Sequence, residues 1–369
     1  MHEEIALFLC GDVMTGRGID QLLPRPCDPT LYEPYIASAN EYVALAESAN
    51  GPLPRLVDCG YPWGDAIAEL EDRRPDLRII NLETSVTRHP EPEPKGINYR
   101  MNPENFACIE AAGVDCCVLA NNHVLDWGET GLLETLATIK AAGIATAGAG
   151  RNESEASAPA VLATSPASRV LIFAFACKSS GVSQAWLAGP DRPGVNLLPD
   201  LSPATARRIG GRVAAAKQGG DVAVASIHWG GNWGYVIPPA QQSFARALVD
   251  EAGIDIVHGH SSHHPRAIEI YRNRLILYGC GDFINDYEGI TGYESFRDDL
   301  VLMYLPVVRT EDGALARLTI VPFQVRNFRL NRASWEDTVW LHSTLDRECR
   351  HFGSRVELDK AHPLRLEWS

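Results

Sequence analysis

The sequence has few positive charges for its length of 369 residues. It contains 33 lysines and arginines against 47 aspartates and glutamates, which gives a formal net charge of −14. The field of such a chain repels phosphate backbones and anionic lipid surfaces, so the composition argues against general binding of nucleic acid or of membranes. A phosphate-bearing substrate remains compatible with this charge, because a bound metal ion can reverse the sign locally.

Long apolar segments are missing as well. No stretch approaches the roughly 20 residues that a membrane-spanning helix needs. The N-terminal MHEEIALFLCGD places acids before a short apolar piece, whereas a signal peptide begins with basic residues and has a longer apolar region. We therefore expect a cytoplasmic protein without a membrane partner.

Cysteines in a metal-binding spacing are also absent. The nine cysteines include no Cys-x-x-Cys pair, and several lie in apolar segments, where cysteine behaves as a small hydrophobic residue. We therefore expect neither disulfides nor a thiolate zinc site. The sequence contains no Gly-x-Ser-x-Gly nucleophile elbow and no complete dinucleotide-binding fingerprint.

Apolar segments of strand length alternate with helical patterns, which is typical of an α/β protein with buried, partly parallel sheets. Residues 24–64 are rich in proline and are expected to form a structured loop. One domain is expected at 1–330, with a C-terminal helix and tail at 331–369 packed on it. The pattern predicts strands at 5–12, 76–83, 114–123, 144–150, 158–164, 169–177, 221–231, 254–260, 300–309 and 316–330, a hairpin at 267–283, and helices at 63–75, 103–113, 129–143, 203–220, 241–253 and 334–349.

Polar residues follow the apolar segments at five predicted strand ends. Ligands of open α/β sheets bind at the carboxyl ends of strands, so we expect these side chains to converge. Carboxylates, a carboxamide and imidazoles together suit one or two Mn²⁺, Fe²⁺ or Zn²⁺ ions. A single such residue is more often a cap or a structural hydrogen-bonding group, but five together favour a metal site, because unpaired buried polar groups are costly. They are Asp12, Glu83, Asn122 with His123, His228, and His258 with His260.

The segment DIVHGHSSHHP carries four histidines in seven positions. His258 and His260 are two residues apart and point to one side of an extended chain, so both could bind one centre. His263 and His264 follow on a loop. One of them is a candidate acid/base or substrate contact, and the other is expected to form a hydrogen bond near the surface.

Six motifs in order resemble the bacterial CapA capsule-synthesis family. That family is similar to the calcineurin-like metallophosphoesterases, so the resemblance implies a four-layer α/β/β/α sandwich of the metallo-dependent phosphatase type with a two-metal centre. The motifs span residues 5–290 and read GDVMTGRG, NLET, LANNHVLDWGETGL, SIHWGGNW, IDIVHGHSSHHP and ILYGCGDFIND.

The resemblance implies roles for residues of the first three motifs. Asp12 matches the first metal ligand, and Glu83 stands where a bridging carboxylate would be. Asn122 matches the ligand of the Asn-His pair, and His123 matches the catalytic histidine beside it. Met14 occupies the position where the phosphoesterases usually have a histidine, which puts one metal position in doubt.

The later motifs supply histidines. His228 matches the single histidine ligand at a strand end, and His260 follows the glycine of the Gly-His motif. The last ligand is either His258 or His263. The proline of the family's Gly-His-x-Pro-His pattern is missing here.

Five residues near these motifs are candidates for substrate binding. Arg17 could neutralise an anionic group, although a surface salt bridge explains it equally well. Asn121, Trp229 and Trp233, together with Tyr235, could line a pocket, and core packing is the alternative for the aromatic residues.

Other polar residues are expected to have supporting roles. Asp126 and Trp127 are expected to shape a helix start, with Asp126 as its cap. Asp282 and Asn285 could accept hydrogen bonds from imidazole N–H groups. Lys178 is a weaker candidate for a substrate contact.

The leading hypothesis is metal-assisted hydrolysis of a phosphoester or related bond of an anionic small molecule or peptide, with His123 protonating the leaving group. The resemblance also includes epimerisation of a peptide residue at its α-carbon, a tailoring step of ribosomal peptides. Asp12 and a histidine such as His263 would then be the two bases, and Met14 favours this departure from phosphatase chemistry. A third reading is a non-catalytic factor in capsule or polyglutamate assembly. The sequence does not indicate an oligomeric state.

Overall fold

Two large β-sheets and two sheets of two strands each, with interleaved helices, form the protein, in a computed structural model that describes residues 4–359 and 363–368. The prediction of an α/β protein is confirmed. The strands are β1 Glu4–Val13, β2 Leu77–Leu82, β3 Ser85–Val86, β4 Arg100–Met101, β5 Cys116–Val118, β6 Ala145–Ala147, β7 Ala149–Gly150, β8 Ala160–Ser165, β9 Ser168–Ala176, β10 Gly194–Val195, β11 Val222–His228, β12 Ile256–His260, β13 Ile268–Tyr271, β14 Arg274–Leu277, β15 Asp282–Ile284, β16 Leu300–Arg309, β17 Leu315–Val325, β18 Leu330–Arg332, β19 Arg355–Leu358 and β20 Leu364–Glu367.

The helices lie mostly between these strands, and short 3-10 turns occur as well. None of the helices in the described residues is long and apolar enough to cross a membrane. The helices are α1 Arg17–Asp20, α2 Ala39–Asn50, α3 Asp65–Arg73, α4 Ala107–Glu110, α5 Gly128–Ala141, α6 Glu153–Ser157, α7 Pro203–Ala216, α8 Pro239–Ala252 and α9 Trp335–Arg350.

The first sheet has the strand order β19-β20-β17-β16-β1-β2-β5-β6, with β15 paired to the end of β1 and β18 paired to β17. Strands β15, β1, β2, β5 and β6 are parallel, whereas β16 and β17 run antiparallel to their neighbours. The second sheet has the order β13-β14-β12-β11-β9-β8 with a parallel centre. In each large sheet, the parallel strands at the centre therefore have their carboxyl ends at the same edge.

The two sheets pack on each other through alternate residues of their strands. Ile172 of β9 and Val224 of β11 belong to the apolar cluster that also contains Leu7 and Leu9 of β1. Their neighbours point the other way, because side chains of a strand alternate between its two faces. Phe173 of β9, for example, packs in a second cluster with α7 and α8.

The chain from β14 to β15 crosses from the second sheet to the first. The predicted hairpin at 267–283 is therefore too long, since β13 and β14 form the hairpin and β15 joins β1 instead. Two glycines permit this approach: a Cβ on Gly11 would lie 1.6 Å from the carbonyl oxygen of Gly281, and Gly281 has φ of +79°. The crossing places Asp282 beside Asp12.

Two other segments differ from the prediction. Helix α2 lies in the region at 24–64 that was expected to be a loop, and it begins with a capping box in which Ser38 and Glu41 satisfy each other's backbone N–H groups. The predicted strand at 114–123 is limited to β5, and the polar residues after it form a turn. That turn lets consecutive side chains point in different directions.

The C-terminal segment is joined to both sheets. Strands β19 and β20 extend the first sheet through β17, and helix α9 contacts β13 of the second sheet. The domain boundary at 330 remains a prediction.

Candidate functional site

The site lies where the carboxyl ends of β1 and β2 and the first residue of β15 face the carboxyl ends of β11 and β12. Asp12 pairs in register with Asp282 on one side and with Asn81 on the other, and His228 pairs with His260 in the opposite sheet. Register partners of parallel strands present their side chains on the same face. The two sheets therefore bring a row of oxygen ligands against a pair of imidazoles.

One group of possible metal ligands consists of Asp12, His228 and His260, whose ligand atoms all lie within 4.8 Å of one another. The Nδ1 atoms of the two imidazoles are 2.8 Å apart, and Nε2 of His228 is 2.8 Å from Oδ1 of Asn122. The carboxylate of Glu83 lies 3.7 Å from the same Nε2 atom. The structure therefore brings together five of the predicted metal ligands.

A second group shares Asp12 with the first and adds His263 and Asp282. Nδ1 of His263 is 2.8 Å from Oδ1 of Asp282. Burial lowers the pKa of His263, but the charge and hydrogen bond of Asp282 together with the charges of Asp12 and Asp298 raise it above the ordinary value. Met14, which takes the place of the family's histidine, is fully buried and accepts a contact from the hydroxyl of Tyr287.

The carboxylates of Asp12, Glu83 and Asp282 have no lysine or arginine within ion-pair distance among the described residues. Asp12 accepts hydrogen bonds from Nδ2 of Asn81 at 2.7 Å and from the amide of Ser261 at 3.1 Å. Burial, followed by the charge of Asp282, raises the pKa of Asp12 to about 7. Burial and the charge of Asp12 raise the pKa of Glu83 well above its ordinary value.

The histidines of the first group are fully buried. Burial lowers the pKa of His228 and of His260 well below the ordinary value. Charge on His123 lowers the pKa of His228 further, and charge on His228 does the same for His260. An imidazole with a lowered pKa stays neutral near pH 7 and can bind a metal ion. Such imidazoles, next to carboxylates without a lysine or arginine partner, form a donor set that fits a divalent transition metal ion.

His123 stands beside this donor set and is oriented by a carboxylate. Its Nδ1 is 2.6 Å from Oδ2 of Asp126, so Nδ1 carries the proton and Nε2 points toward Glu83, 3.8 Å away. Burial lowers the pKa of His123 to about 4, although Asp126 acts in the opposite direction. Asp126 does not cap α5 as predicted, because Trp127 occupies the cap position and makes no side-chain cap bond.

A cavity of about 980 Å³ opens beside these residues. Asn122, His123 and His263 reach its wall. His263 belongs to the second ligand group, and Asn122 contacts His228 of the first. Eight further residues of the wall are aromatic or cationic: Arg17, Tyr35, Tyr42, Lys95, Tyr99, Trp233, Tyr287 and Tyr293.

Arg17 lies in this wall, but its charge is already compensated. Its guanidinium donates to Asp286 at 2.5 Å and to Glu33 at 3.0 Å, and only 3% of the residue is exposed. It also lies over the rings of Tyr42 and Tyr99. With these partners, Arg17 supports the aromatic wall and is not a free anion-binding group.

Two other predicted substrate-binding residues lie away from the cavity. Asn121 is fully buried, and its Oδ1 accepts hydrogen bonds from the amides of His123 and Val124. Trp229 is buried in the core, where its Nε1 donates to the carbonyl of Tyr278. Both residues support the site from within the core, because their polar atoms form hydrogen bonds with other buried groups of the protein.

Trp233 is in the wall, as predicted for a substrate-binding residue. It stacks on Tyr293 with 4.1 Å between the ring centroids, and its ring lies 5.5 Å from that of His263. The ring of His264 is not near the surface but is packed between aromatic side chains, 4.7 Å from that of Phe296. His263, rather than His264, is thus the histidine that reaches the site.

His258 lies outside both ligand groups. Its Nε2 is 2.7 Å from the carbonyl of Cys10 and must carry a proton, and its Nδ1 is 3.1 Å from the hydroxyl of Ser226. Both ring nitrogens therefore have partners within the core. Asn285 donates to Asp282 at 2.9 Å instead of accepting from an imidazole, and Lys178 lies exposed in a 3-10 turn.

Comparisons with known proteins identify the family. Residues 6–287 match the family described as bacterial capsule synthesis protein PGA_cap. A probable polyglutamine synthesis accessory protein of Mycobacterium tuberculosis is 48% identical over 354 residues, covering 95% of this chain and 93% of the relative. The chain therefore belongs to the bacterial capsule synthesis family, and the resemblance to CapA is confirmed.

More distant similarities point to further proteins. The capsule biosynthesis protein CapA of Bacillus anthracis is 25% identical over 333 residues, which is 88% of this chain and 68% of CapA. A solved structure described as a novel phosphatase from Mycoplasma pneumoniae has a TM-score of 0.46 and 11% identity, covering 87% of this chain and 94% of the phosphatase.

Proposed function

We propose that this protein is a metal-dependent enzyme that hydrolyses a phosphoester or related bond in an anionic substrate, on a four-layer α/β/β/α sandwich of the metallo-dependent phosphatase type. The observation that carries the proposal is the pair of buried ligand groups that share Asp12 and lie beside a cavity of about 980 Å³. The wall of this cavity includes His263 of one group and Asn122, which contacts His228 of the other. One or two Mn, Fe or Zn ions are the cofactors that this donor set suits.

The two ligand groups support a proposal for the residues that would hold the metal. Asp12 would be shared, with His228, His260 and Asn122 on one side and with His263 and Asp282 on the other; Glu83 lies close to the first side. When bound, such cations supply Lewis acidity toward water and toward an anionic oxygen of the substrate.

His123 would move the proton of the reaction. Its neutral ring has Nε2 free of the Asp126 contact, and Asp126 fixes the tautomer. An anionic substrate next to the ring raises its pKa, so that the ring can take up a proton and deliver it from Nε2 to the leaving group. Loss of such a group costs roughly 10²- to 10⁴-fold in rate.

The test is metal analysis of the protein purified without chelators, combined with assays of p-nitrophenyl phosphate and bis(p-nitrophenyl) phosphate. We expect bound divalent metal, loss of turnover with a chelator, and loss of both metal and activity in His228→Ala. His351→Ala, which changes an exposed histidine of the C-terminal segment, is the matched control. A His228→Ala protein that keeps its metal and its fold would remove His228 from the ligand set.

Epimerisation of a peptide at its α-carbon is the second candidate, and the size and aromatic wall of the cavity favour it. The volume of about 980 Å³ exceeds what a phosphate group needs, and Met14 departs from the phosphoesterase pattern. Asp12 and His263 would exchange the α-proton. Deuterium uptake from D₂O into a peptide without net hydrolysis would favour this reaction.

A non-catalytic role in capsule or polyglutamate assembly is consistent with the word accessory in the name of the Mycobacterium tuberculosis relative. Purified protein that binds no metal and turns over neither substrate class would support that role.

A further inference from the structure

Lys95 is a basic residue of the cavity wall that has no role in the proposal above. Its ammonium group donates to Oδ1 of Asp126 at 2.6 Å and to the carbonyl oxygen of Asn122. It lies 3.4 Å from Nδ1 of His123. The group therefore contacts the residue before His123 and the carboxylate that orients it.

The segment that carries Lys95 is fastened to the same carboxylate residue. The amide of Glu93 and the side chain of Asn98 both donate to the carbonyl of Asp126, and the amide of Tyr99 donates to its Oδ2 at 2.7 Å. These hydrogen bonds fix the main chain on both sides of Lys95. The side chain of Lys95 therefore extends from a defined position close to Asp126.

The ion pair between Lys95 and Asp126 is more buried than an ordinary surface ion pair. The side chain of Asp126 is fully buried and that of Lys95 is 25% exposed. Removing the ammonium group would leave a buried carboxylate with less compensation and the carbonyl of Asn122 without this donor. The contact is therefore part of the local architecture.

The turn with Asn122 and His123 is held from two sides. On the inner side, Oδ1 of Asn121 accepts hydrogen bonds from the amides of His123 and Val124. On the outer side, Lys95 holds the carbonyl of Asn122. Between them, Oδ1 of Asn122 points to Nε2 of His228 at 2.8 Å. Loss of the outer contact would free the peptide of Asn122 to rotate and would move its Oδ1 away from the ligand group.

We propose that Lys95 is a positioning residue, which holds the main chain of Asn122 against Asp126 and thereby aims the Asn122 amide and the His123 ring at the metal ligands. The inference rests on the proposed function, because it assigns a role in the same site. It excludes Lys95 as a direct anchor for substrate.

The experiment compares Lys95→Met with Lys95→Arg, and uses Lys140→Met, at an exposed lysine of α5, as the matched control. Hydrogen exchange of the metal-free protein is followed by mass spectrometry for the peptide at 119–127. Binding of Mn²⁺ is measured by calorimetry, and kcat and KM are measured with the best phosphoester. If Lys95→Met does not fold, Lys95→Gln replaces it, because its shorter amide cannot reach both acceptors.

In Lys95→Met we expect faster exchange of the His123 and Val124 amides, an Mn²⁺ affinity lower by about 10- to 100-fold, and a lower kcat with KM within about twofold. Lys95→Arg restores part of each loss, and Lys140→Met changes none. Unchanged exchange and Mn²⁺ affinity in Lys95→Met would overturn the proposal, and so would a rise in KM alone. If the wild-type protein binds no Mn²⁺, the proposed function fails, while hydrogen exchange still tests the positioning role.

Discussion

Buried carboxylates lie at both ends of the parallel strands, but those of the two ligand groups, Asp12 and Asp282, have only histidines as ion-pair partners among the described residues. At the amino ends of β11 and β12, Asp255 is 2.5 Å from Nζ of Lys217 and 3.2 Å from Nε of Arg274. Asp221, at the start of β11, is 2.5 Å from Arg169. The chain thus compensates these acids with its own basic side chains.

At the edge of the sheets that forms the site, Asp12, Glu83 and Asp282 have amides, backbone N–H groups and imidazoles as hydrogen-bond partners, and Asp12 and Glu83 also contact each other. Taking a carboxylate out of water is costly unless a positive charge compensates it. The comparison indicates that acids with a lysine or arginine partner stabilise the sheets, whereas acids without one are suited to bind metal ions. Four substitutions test which residues at the strand ends are structural and which belong to the site.

Asp12→Asn should have the largest effect, because it removes the carboxylate that both ligand groups share. We expect loss of bound metal and a fall in kcat/KM of more than about 100-fold. Substitution of a residue that only forms a hydrogen bond with a metal ligand lowers affinity or activity by at most about 100-fold. The free energy of unfolding of the metal-free protein should not decrease, since a poorly compensated buried charge is removed. Elemental analysis, kinetics and urea unfolding measure the three quantities. Full metal content in this variant would contradict the division.

Asp255→Asn tests the opposite end of the strands. It leaves Lys217 and Arg274 without their counter-charge, and because both are partly exposed we expect a loss of about 2 kcal/mol of stability, less than for a fully buried pair. Urea unfolding measures this loss. Metal content and kcat should equal those of the wild type. A variant that lost its metal but kept its stability would contradict the structural role of Asp255.

His258→Leu separates a core histidine from a metal ligand. The variant leaves the carbonyl of Cys10 without its donor, and we expect a loss of about 1.5 kcal/mol in the free energy of unfolding. Metal content should not change. If the variant lost metal but no stability, His258 would belong with the ligands after all.

Trp229→Phe should have the smallest effect. It removes the indole donor to Tyr278 and keeps most of the packing, so we expect a loss of about 1 kcal/mol in stability. KM should stay within about twofold of the wild type. Trp233→Phe, in the cavity wall, is the comparison variant, and an altered KM only for Trp229→Phe would show that Trp229 contacts substrate.

The sequence was informative about the residues at strand ends, because a polar group that follows a buried strand stands out from its neighbours. Asp12, Glu83, Asn122, His228 and His260 were recognised in this way, and the structure brings them together. Their roles as ligands remain predictions.

Asp282 and Lys95 show where the sequence was less informative. Asp282 was expected to accept a hydrogen bond from an imidazole, and it lies 2.8 Å from Nδ1 of His263. Its place beside Asp12 in the second ligand group depends on the crossing from the second sheet to the first, which no local pattern encodes. Lys95 lies in a proline-containing loop without periodicity, so only its contacts with Asp126 and Asn122 indicate a role. Helix α2, in contrast, could have been predicted from its capping box at Ser38 and Glu41.

The crossing through residues 278–281 also has a consequence for biosynthesis. Asp12 emerges from the ribosome long before Asp282, its partner on the adjacent strand. Pairing across such a long stretch of chain is slow, because a large loop must close first. Under the proposed function, a nascent chain would bring the shared carboxylate together with its partners only after most of the polypeptide has been translated, so that metal loading would follow the docking of both sheets.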